Sequence, residues 1–186
     1  MHSEDIVIRP YQIGDAPLLF EAATESVAEV YRWLPWCHPG YSIAESEAWV
    51  EHSVRAWADE TEFNFVIQDR AGRFLGGTGI NQKISSDRIA NLGYWVRTSA
   101  TCRGVATAAV RLTAQYAFEK TNLVRLEIVV AIENPSSLRV AEKVGAVREG
   151  IAHDRIFAGG ESHDAVVQAL LRSRVRPPSV RSTAGR

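Results

Sequence analysis

One segment narrows the fold more than any other. From about Gly104 to Lys120 the chain places Val105, Ala109, Leu112 and Tyr116 in one stripe, with Ala106, Val110 and Ala117 in a second stripe beside it. Three- and four-residue spacing describes a helix, and two adjacent apolar stripes describe one packed deeply against a sheet. The run VRLEIVVAI, Val124 to Ile132, follows at once. It is apolar at every second position and closes in consecutive apolar residues, as a central strand does. Upstream, IANLGYWV from Ile89 also reads as a strand. Strand, long helix, strand is a crossover, which sets two parallel strands in one sheet. Downstream, Asn134-Pro135 is an N-cap residue followed by proline at the first helical position, opening a helix that runs to Val144 and stops at Gly145. Sheets of this kind bind ligands at the carboxyl ends of strands, where helices begin.

The remainder adds a meander before this unit and a hairpin after it. Alternation at Ile6 and Ile8 gives a first strand closed by Pro10, and residues 15–30 and 44–58 carry helical spacing. Strand-like runs start at Phe63 and Phe74, with turn-forming residues at Asp69–Gly72 and Asn81–Asp87. Two last strands, about 147–157 and 162–170, flank Ala158-Gly159-Gly160-Glu161. The expected class is α/β (α+β mixed): a central, mostly antiparallel sheet of about seven strands, partly splayed, with helices on both faces.

The domain is read over residues 1–171. Residues 172–186 combine five arginines, no acid and two prolines, so a basic and flexible tail is expected there. The formal net charge of −1 conceals this split: residues 1–171 hold 16 basic and 22 acidic groups, a charge of −6. Without a basic excess in the body, nucleic acid is not an expected partner. No apolar run reaches the ~18 residues a membrane helix needs, so no membrane is expected either. Cys37 and Cys102 suggest no disulfide framework, the five histidines show no metal-ligand spacing, and a reducing cytoplasm is the expected setting.

The chemistry concentrates in YWVRTSATCRGVAT, residues 94–107. A strand ends near Arg97, small residues follow, and the long helix opens at Gly104. Free backbone N–H groups and the helix dipole favour an anion at such a start. Gly104 allows close approach, Arg103 adds a charge, Ala106 leaves room and Thr107 offers a hydroxyl. No Walker or Rossmann glycine pattern is present, which argues against a generic nucleotide-binding domain.

Five segments in order then carry a resemblance: WLPW (Trp33 to Trp36), GYW (Gly93 to Trp95), RGVAT (Arg103 to Thr107), ENPSSLRVAEKVGA from Glu133, and the closing stretch from Arg148 with GGESHDAVVQALL. Together they resemble the GNAT acyltransferases, and within them the ribosomal-protein N-terminal acetyltransferases of the RimJ/RimL kind. The resemblance implies acetyl-CoA as donor and no metal. Its pyrophosphate would lie on the N–H groups of Arg103, Gly104, Val105, Ala106 and Thr107. Its pantetheine arm would pair with the backbone of Trp95, Val96 and Arg97. The family's loop usually begins with Gln or Arg; here Thr101 stands in that place, and only Gly104 and Ala106 match the glycine positions.

On the same resemblance, Asn134 contacts the pantetheine region and Ser137 protonates the departing thiolate. Many members place a tyrosine seven residues after the asparagine; Ala141 stands there in this chain. The plain alternative for the pair is a helix cap and a first-turn serine. For the base, some relatives carry an acid just before the hairpin glycines, where this chain has Ile156. Asp154, two residues earlier and so on the same strand face, is the candidate, with a water chain to solvent as the other route. His163-Asp164 is read as structural. Tyr31, Trp33 and Trp36 are expected to line the acceptor groove. Three functions stay open: acetylation of a protein N-terminal α-amine, acetylation of a small amine, and a catalytically silent CoA-binding regulatory module. A homodimer is implied by the family alone.

Overall fold

The first strand pairs with the meander rather than with the crossover, and this sets the sheet order. The computed structural model describes residues 5–174. Its elements are β1 Ile6–Pro10, α1 Ala16–Val30, α2 Ile43–Ala58, β2 Phe63–Asp69, β3 Phe74–Ile84, β4 Ile89–Val96, α3 Val105–Lys120, β5 Arg125–Ala131, α4 Pro135–Lys143, β6 Val147–Ala158 and β7 Glu161–Leu171. The seven strands lie in the order β1-β2-β3-β4-β5-β7-β6. Every neighbouring pair is antiparallel except β4 and β5. The expected fold class and crossover are therefore observed.

The two faces carry separate cores. Val105, Ala109, Val110, Leu112, Ala114 and Ala117 of α3, with Ala141 of α4, pack on Ile6, Ile8, Ile80, Leu92, Leu126 and Ile128. On the other face, Leu19 and Ala22 of α1 and Val50 of α2 meet Tyr11, Val66, Phe74 and Trp95. Ser42 starts α2 with a capping box: its N–H donates to Glu45 Oε2 (2.9 Å) while its hydroxyl accepts from the Glu45 N–H. Gly159 and Gly160, both at positive φ, make the two-residue turn between β6 and β7.

Two local expectations change. The turn read over Asn81–Asp87 is shorter, because β3 continues to Ile84. Asn81 and Asn91 pair across the strands through their side chains (2.9 Å), and Gln82, at φ 50, is taken up in a bulge. At the far end, Arg172 belongs with the body: its side chain donates to Leu123 O (2.8 Å) and its N–H to Val124 O (3.0 Å). The rest of the expected tail, from residue 175, lies outside the described residues.

The feature that positions the site is the short β4–β5 seam. It pairs only Ile89–Asn91 with Arg125–Glu127; beyond these residues the two strands diverge. The sheet is split from Leu92 onward, and α3 and α4 begin beside the split.

Candidate active site

Which backbone groups face the split follows from strand periodicity. The Arg97 N–H donates to Leu75 O (2.8 Å), and β3 and β4 pair with Trp95 opposite Gly77 and Gly93 opposite Gly79. Alternation turns the peptide groups of odd-numbered residues to β3 and those of Tyr94 and Val96 to the split. Of the three positions expected to pair with a pantetheine arm, Val96 thus offers its N–H and C=O to the opening. Trp95 and the Arg97 N–H are committed to β3, and the Arg97 C=O accepts from the Ala100 N–H (2.9 Å).

Gly76 and Gly77 make this arrangement possible. At Gly76, φ is +152, and a Cβ there would collide with the Trp95 carbonyl and lie 2.9 Å from Val96 Cα. A Cβ on Gly77 would lie 2.8 Å from the Trp95 indole nitrogen, so its absence lets that ring lie over the strand.

The Arg97 side chain turns away from the split. It is buried, 4% exposed, and ties the end of β4 to α1. Its Nε donates to Glu25 (3.0 Å), Nη2 donates to Glu21 (2.8 Å) and again to Glu25, and Nη1 donates to Phe74 O (3.1 Å). The same helix holds the following turn: Ser99 N–H donates to Glu25 Oε1 (2.8 Å), Thr98 N–H to Ser26 Oγ (3.0 Å), and Thr98 Oγ1 to Glu29 (2.8 Å). Hydrogen bonding to the Arg97 guanidinium pulls the Glu25 carboxyl down to about 2.

The loop then runs into α3. Thr101 Oγ1 donates back to Thr98 O (2.8 Å), so this side chain closes its own turn. Cys102 (φ 59) and Gly104 (φ 79) adopt left-handed conformations, and Gly104 occupies the N-cap position. Arg103 and Gly104 are exposed and Val105 is buried under the first turn. The first-turn N–H groups of Val105, Ala106 and Thr107 have no carbonyl four residues back within the helix.

Across the split, Asn134 and Ser137 sit at the start of α4. Asn134 Oδ1 accepts the Ser137 N–H (3.1 Å), the cap that the Asn-Pro sequence predicts. Ser137 is half-buried, and its hydroxyl meets a partner that the sequence reading did not single out. Tyr94 reaches over from β4 with its phenol 2.7 Å from Ser137 Oγ, and donates to Ser137 O at 3.1 Å. Burial pushes the Tyr94 phenol up to about 12.

The hairpin positions differ from expectation. A bulge between Ala152 and Ile156 breaks the two-residue alternation, and Asp154 itself has φ 49. Asp154 therefore does not share the face of Ile156, and its side chain is exposed. Asp164 accepts from the Asp154 N–H (3.0 Å) and from His153 Nδ1 (2.9 Å), contacts that hold its carboxyl below the usual range. His163 lies against Ala158 O (3.2 Å) and edge-on to Trp33, with ring centroids 6.2 Å apart.

The expected aromatic groove divides. Trp33 joins the hairpin through His163, and Tyr31 is exposed at the end of α1. Trp36 instead packs edge-on to Trp95 (5.2 Å) and Tyr41 (5.6 Å). These three rings, with Trp49 and the side chains of Glu45 and His52, surround a cleft of about 580 Å³ between α1, α2 and the end of β4. Trp49 and Tyr41 occupy helical and loop positions with no distinguishing spacing, and the sequence points to Trp95 for its backbone alone.

A sheet parted between two parallel strands, with a helix N-terminus on each side of the opening, defines a class. The family model for the acetyltransferase (GNAT) domain matches residues 5–147, and the chain belongs to that family. It is an N-acetyltransferase that takes its acetyl group from acetyl-CoA. The particular relatives follow from there. YdaF of Bacillus subtilis (strain 168), named as a candidate ribosomal N-acetyltransferase, is 30% identical over 172 residues, covering 91% of this chain and 93% of the relative. The spermidine N(1)-acetyltransferase of Vibrio cholerae is 25% identical over 116 residues, covering 62% of this chain and 67% of the relative. Among solved structures, a candidate ribosomal-protein-serine acetyltransferase from Vibrio cholerae superposes with a TM-score of 0.79 at 25% identity, covering 91% of this chain and 95% of that one.

Proposed function

We propose that the chain acetylates the N-terminal α-amine of a protein or peptide by direct attack in a ternary complex. Acetyl-CoA would lay its pantetheine amides along Tyr94 and Val96, as an added strand does. Its pyrophosphate would rest on the N–H groups from Arg103 to Thr107, where the α3 dipole and the Arg103 charge favour it. The neutral amine attacks the thioester carbonyl and the C–S bond breaks. The amine releases one proton to water, and the Val96 N–H polarises the carbonyl from the split. Ser137 gives its hydroxyl proton to the thiolate and regains one from solvent as CoA leaves.

One observation carries the choice of acceptor: the character of the Trp36–Trp95 cleft. Its lining is mainly aromatic, and its carboxylate and its imidazole are already engaged. Glu45 is held by His38 Nε2 (2.7 Å) and by Ser42, and His52 by Glu62 (3.1 Å). An aromatic slot suits the apolar side chain that follows a peptide's α-amine. A polyamine requires free carboxylates spaced along a groove. The name of the relative YdaF points in the same direction, whereas the spermidine enzyme supports the small-amine reading.

The test is thiol release from acetyl-CoA across peptides with free N-termini, spermidine and single amino acids. Peptides are expected to exceed spermidine in kcat/KM, most of all those with an apolar N-terminal residue. Equal or better turnover of spermidine refutes the acceptor assignment. Ser137→Ala is expected to lower kcat by roughly 100-fold at saturating acetyl-CoA, the lower end of the range for loss of a positioned proton donor.

A further inference from the structure

We infer that Tyr94 is a positioning residue for the leaving-group proton, acting through Ser137 across the split in the sheet. The inference rests on the role of Ser137 proposed above.

The geometry allows two hydrogen-bond arrangements of the same pair. The phenol lies 3.1 Å from Ser137 O, which can only accept, and 2.7 Å from Ser137 Oγ, which can do either. With no thiolate present, the phenol donates to the carbonyl and the serine hydroxyl donates to the phenol oxygen. Both hydroxyls are then satisfied, and the serine proton is held away from the opening. When the C–S bond breaks, the serine O–H swings to the sulfur and the Tyr94 O–H turns to Ser137 Oγ. The S–H bond forms as the Ser137 O–H bond breaks. The charge that develops on Oγ meets a donor already within hydrogen-bond distance, and solvent restores the serine proton as CoA departs. Tyr94 keeps its own proton throughout, consistent with a phenol whose burial places its titration near 12.

Three further observations fit this role. Tyr94 belongs to β4 and Ser137 to α4, so the contact spans the opening rather than closing a local turn. The Tyr94 peptide groups face the same opening, so one residue borders the donor's place with both backbone and side chain. Ala141, one turn after Ser137, is fully buried in the cluster against which the Tyr94 ring packs. The phenol therefore comes from the sheet, while the helix position four residues beyond the serine holds no hydroxyl.

The experiment compares Tyr94→Phe, Ser137→Ala and the double variant. Thiol release is measured with the best peptide of the panel and, separately, with water alone, which expels the same thiolate. Phenylalanine keeps the ring in its packing, and thermal melting of each variant verifies the fold. Tyr94→Phe is expected to lower kcat about tenfold while the acetyl-CoA KM stays within about twofold, since the bond is to an atom that reacts and not to the donor's binding groups. Adding Tyr94→Phe to Ser137→Ala is expected to change nothing more. An unchanged kcat in Tyr94→Phe, with Ser137→Ala impaired, overturns this inference and leaves the function intact. Penalties that multiply in the double variant also overturn it, because Tyr94 would then act without Ser137. An unimpaired Ser137→Ala overturns the serine's role itself.

Discussion

Replacing Arg97 by methionine is the perturbation whose cost can be followed most fully. Methionine keeps an unbranched stem of similar reach and removes the guanidinium. Three partners lose their donor: Glu25, Glu21 and the carbonyl of the buried Phe74. The Glu21 side chain is 67% exposed, so its share is that of a surface pair, below about 1 kcal/mol. Glu25 is 29% exposed and keeps the Ser99 N–H, so it loses part of a charge-assisted bond rather than being stranded. Such bonds contribute about 1.5–3 kcal/mol, and the Phe74 carbonyl loses a contact of the same kind. The sum, reduced for partial solvent access, is about 2–4 kcal/mol, at or below the ~3–5 kcal/mol for breaking a fully buried pair. For a domain of this size that lowers Tm by roughly 5–12 °C. The assay is guanidinium unfolding read by tryptophan fluorescence, with Glu21→Gln as a control expected within about 0.5 kcal/mol of the parent. Because Arg97 anchors the strand that leads into the Gly104 loop, the acetyl-CoA KM is expected to rise several-fold in Arg97→Met as well. A midpoint unchanged from the parent would refute the idea that this arginine fastens β4 to α1.

Two more predictions concern the same region. The Glu25 carboxyl is held near 2 by Arg97, so its contribution to stability is fully present above the ordinary carboxylate range and is lost as pH falls towards 2. The stability difference between the parent and Glu25→Gln should therefore be constant near neutrality and shrink below about pH 4.5, as acid titrations followed by circular dichroism can verify. Gly76→Ala forces a Cβ against the Trp95 carbonyl in a left-handed conformation, and a loss of about 3 kcal/mol or more is expected by chemical denaturation, with weakened acetyl-CoA binding by calorimetry.

The sequence made the framework legible because the framework is periodic. The double stripe of α3, the alternation of β5 and the Asn134-Pro135 cap each follow from local backbone chemistry, and each is found where the spacing put it. The start of α3, on which the proposed donor site is built, was legible for the same reason, since a helix start after a glycine is a local event. The remainder depends on pairings between distant segments. Tyr94 meets Ser137 across 43 positions, and Arg97 meets Glu25 across 72. No spacing rule relates such residues, so the sequence points to Arg97 for its backbone alone and carries no sign that its side chain is a clasp to α1. The expected shared face of Asp154 and Ile156 is lost for a different reason: period two holds along a regular strand, and β6 inserts a bulge at that point.

The split in the sheet bears on where a foreign strand could add to this fold. A sheet usually has two open edges, each a template for a foreign strand. β6, at one border, is interrupted by two bulges and carries exposed Glu149, His153, Asp154 and Arg155, features that discourage self-association. The parting of β4 from β5 creates a further open edge in the middle of the sheet, and β4 meets it without an equivalent guard. Its protection is location: β5 stands opposite, and α3 and α4 cover one face. With β5 opposite, the opening along this inner edge suits a narrow extended molecule better than the broad ribbon of another folded chain. An edge able to take up a strand-like molecule is usually also able to take up a foreign chain, and here that edge is turned inward.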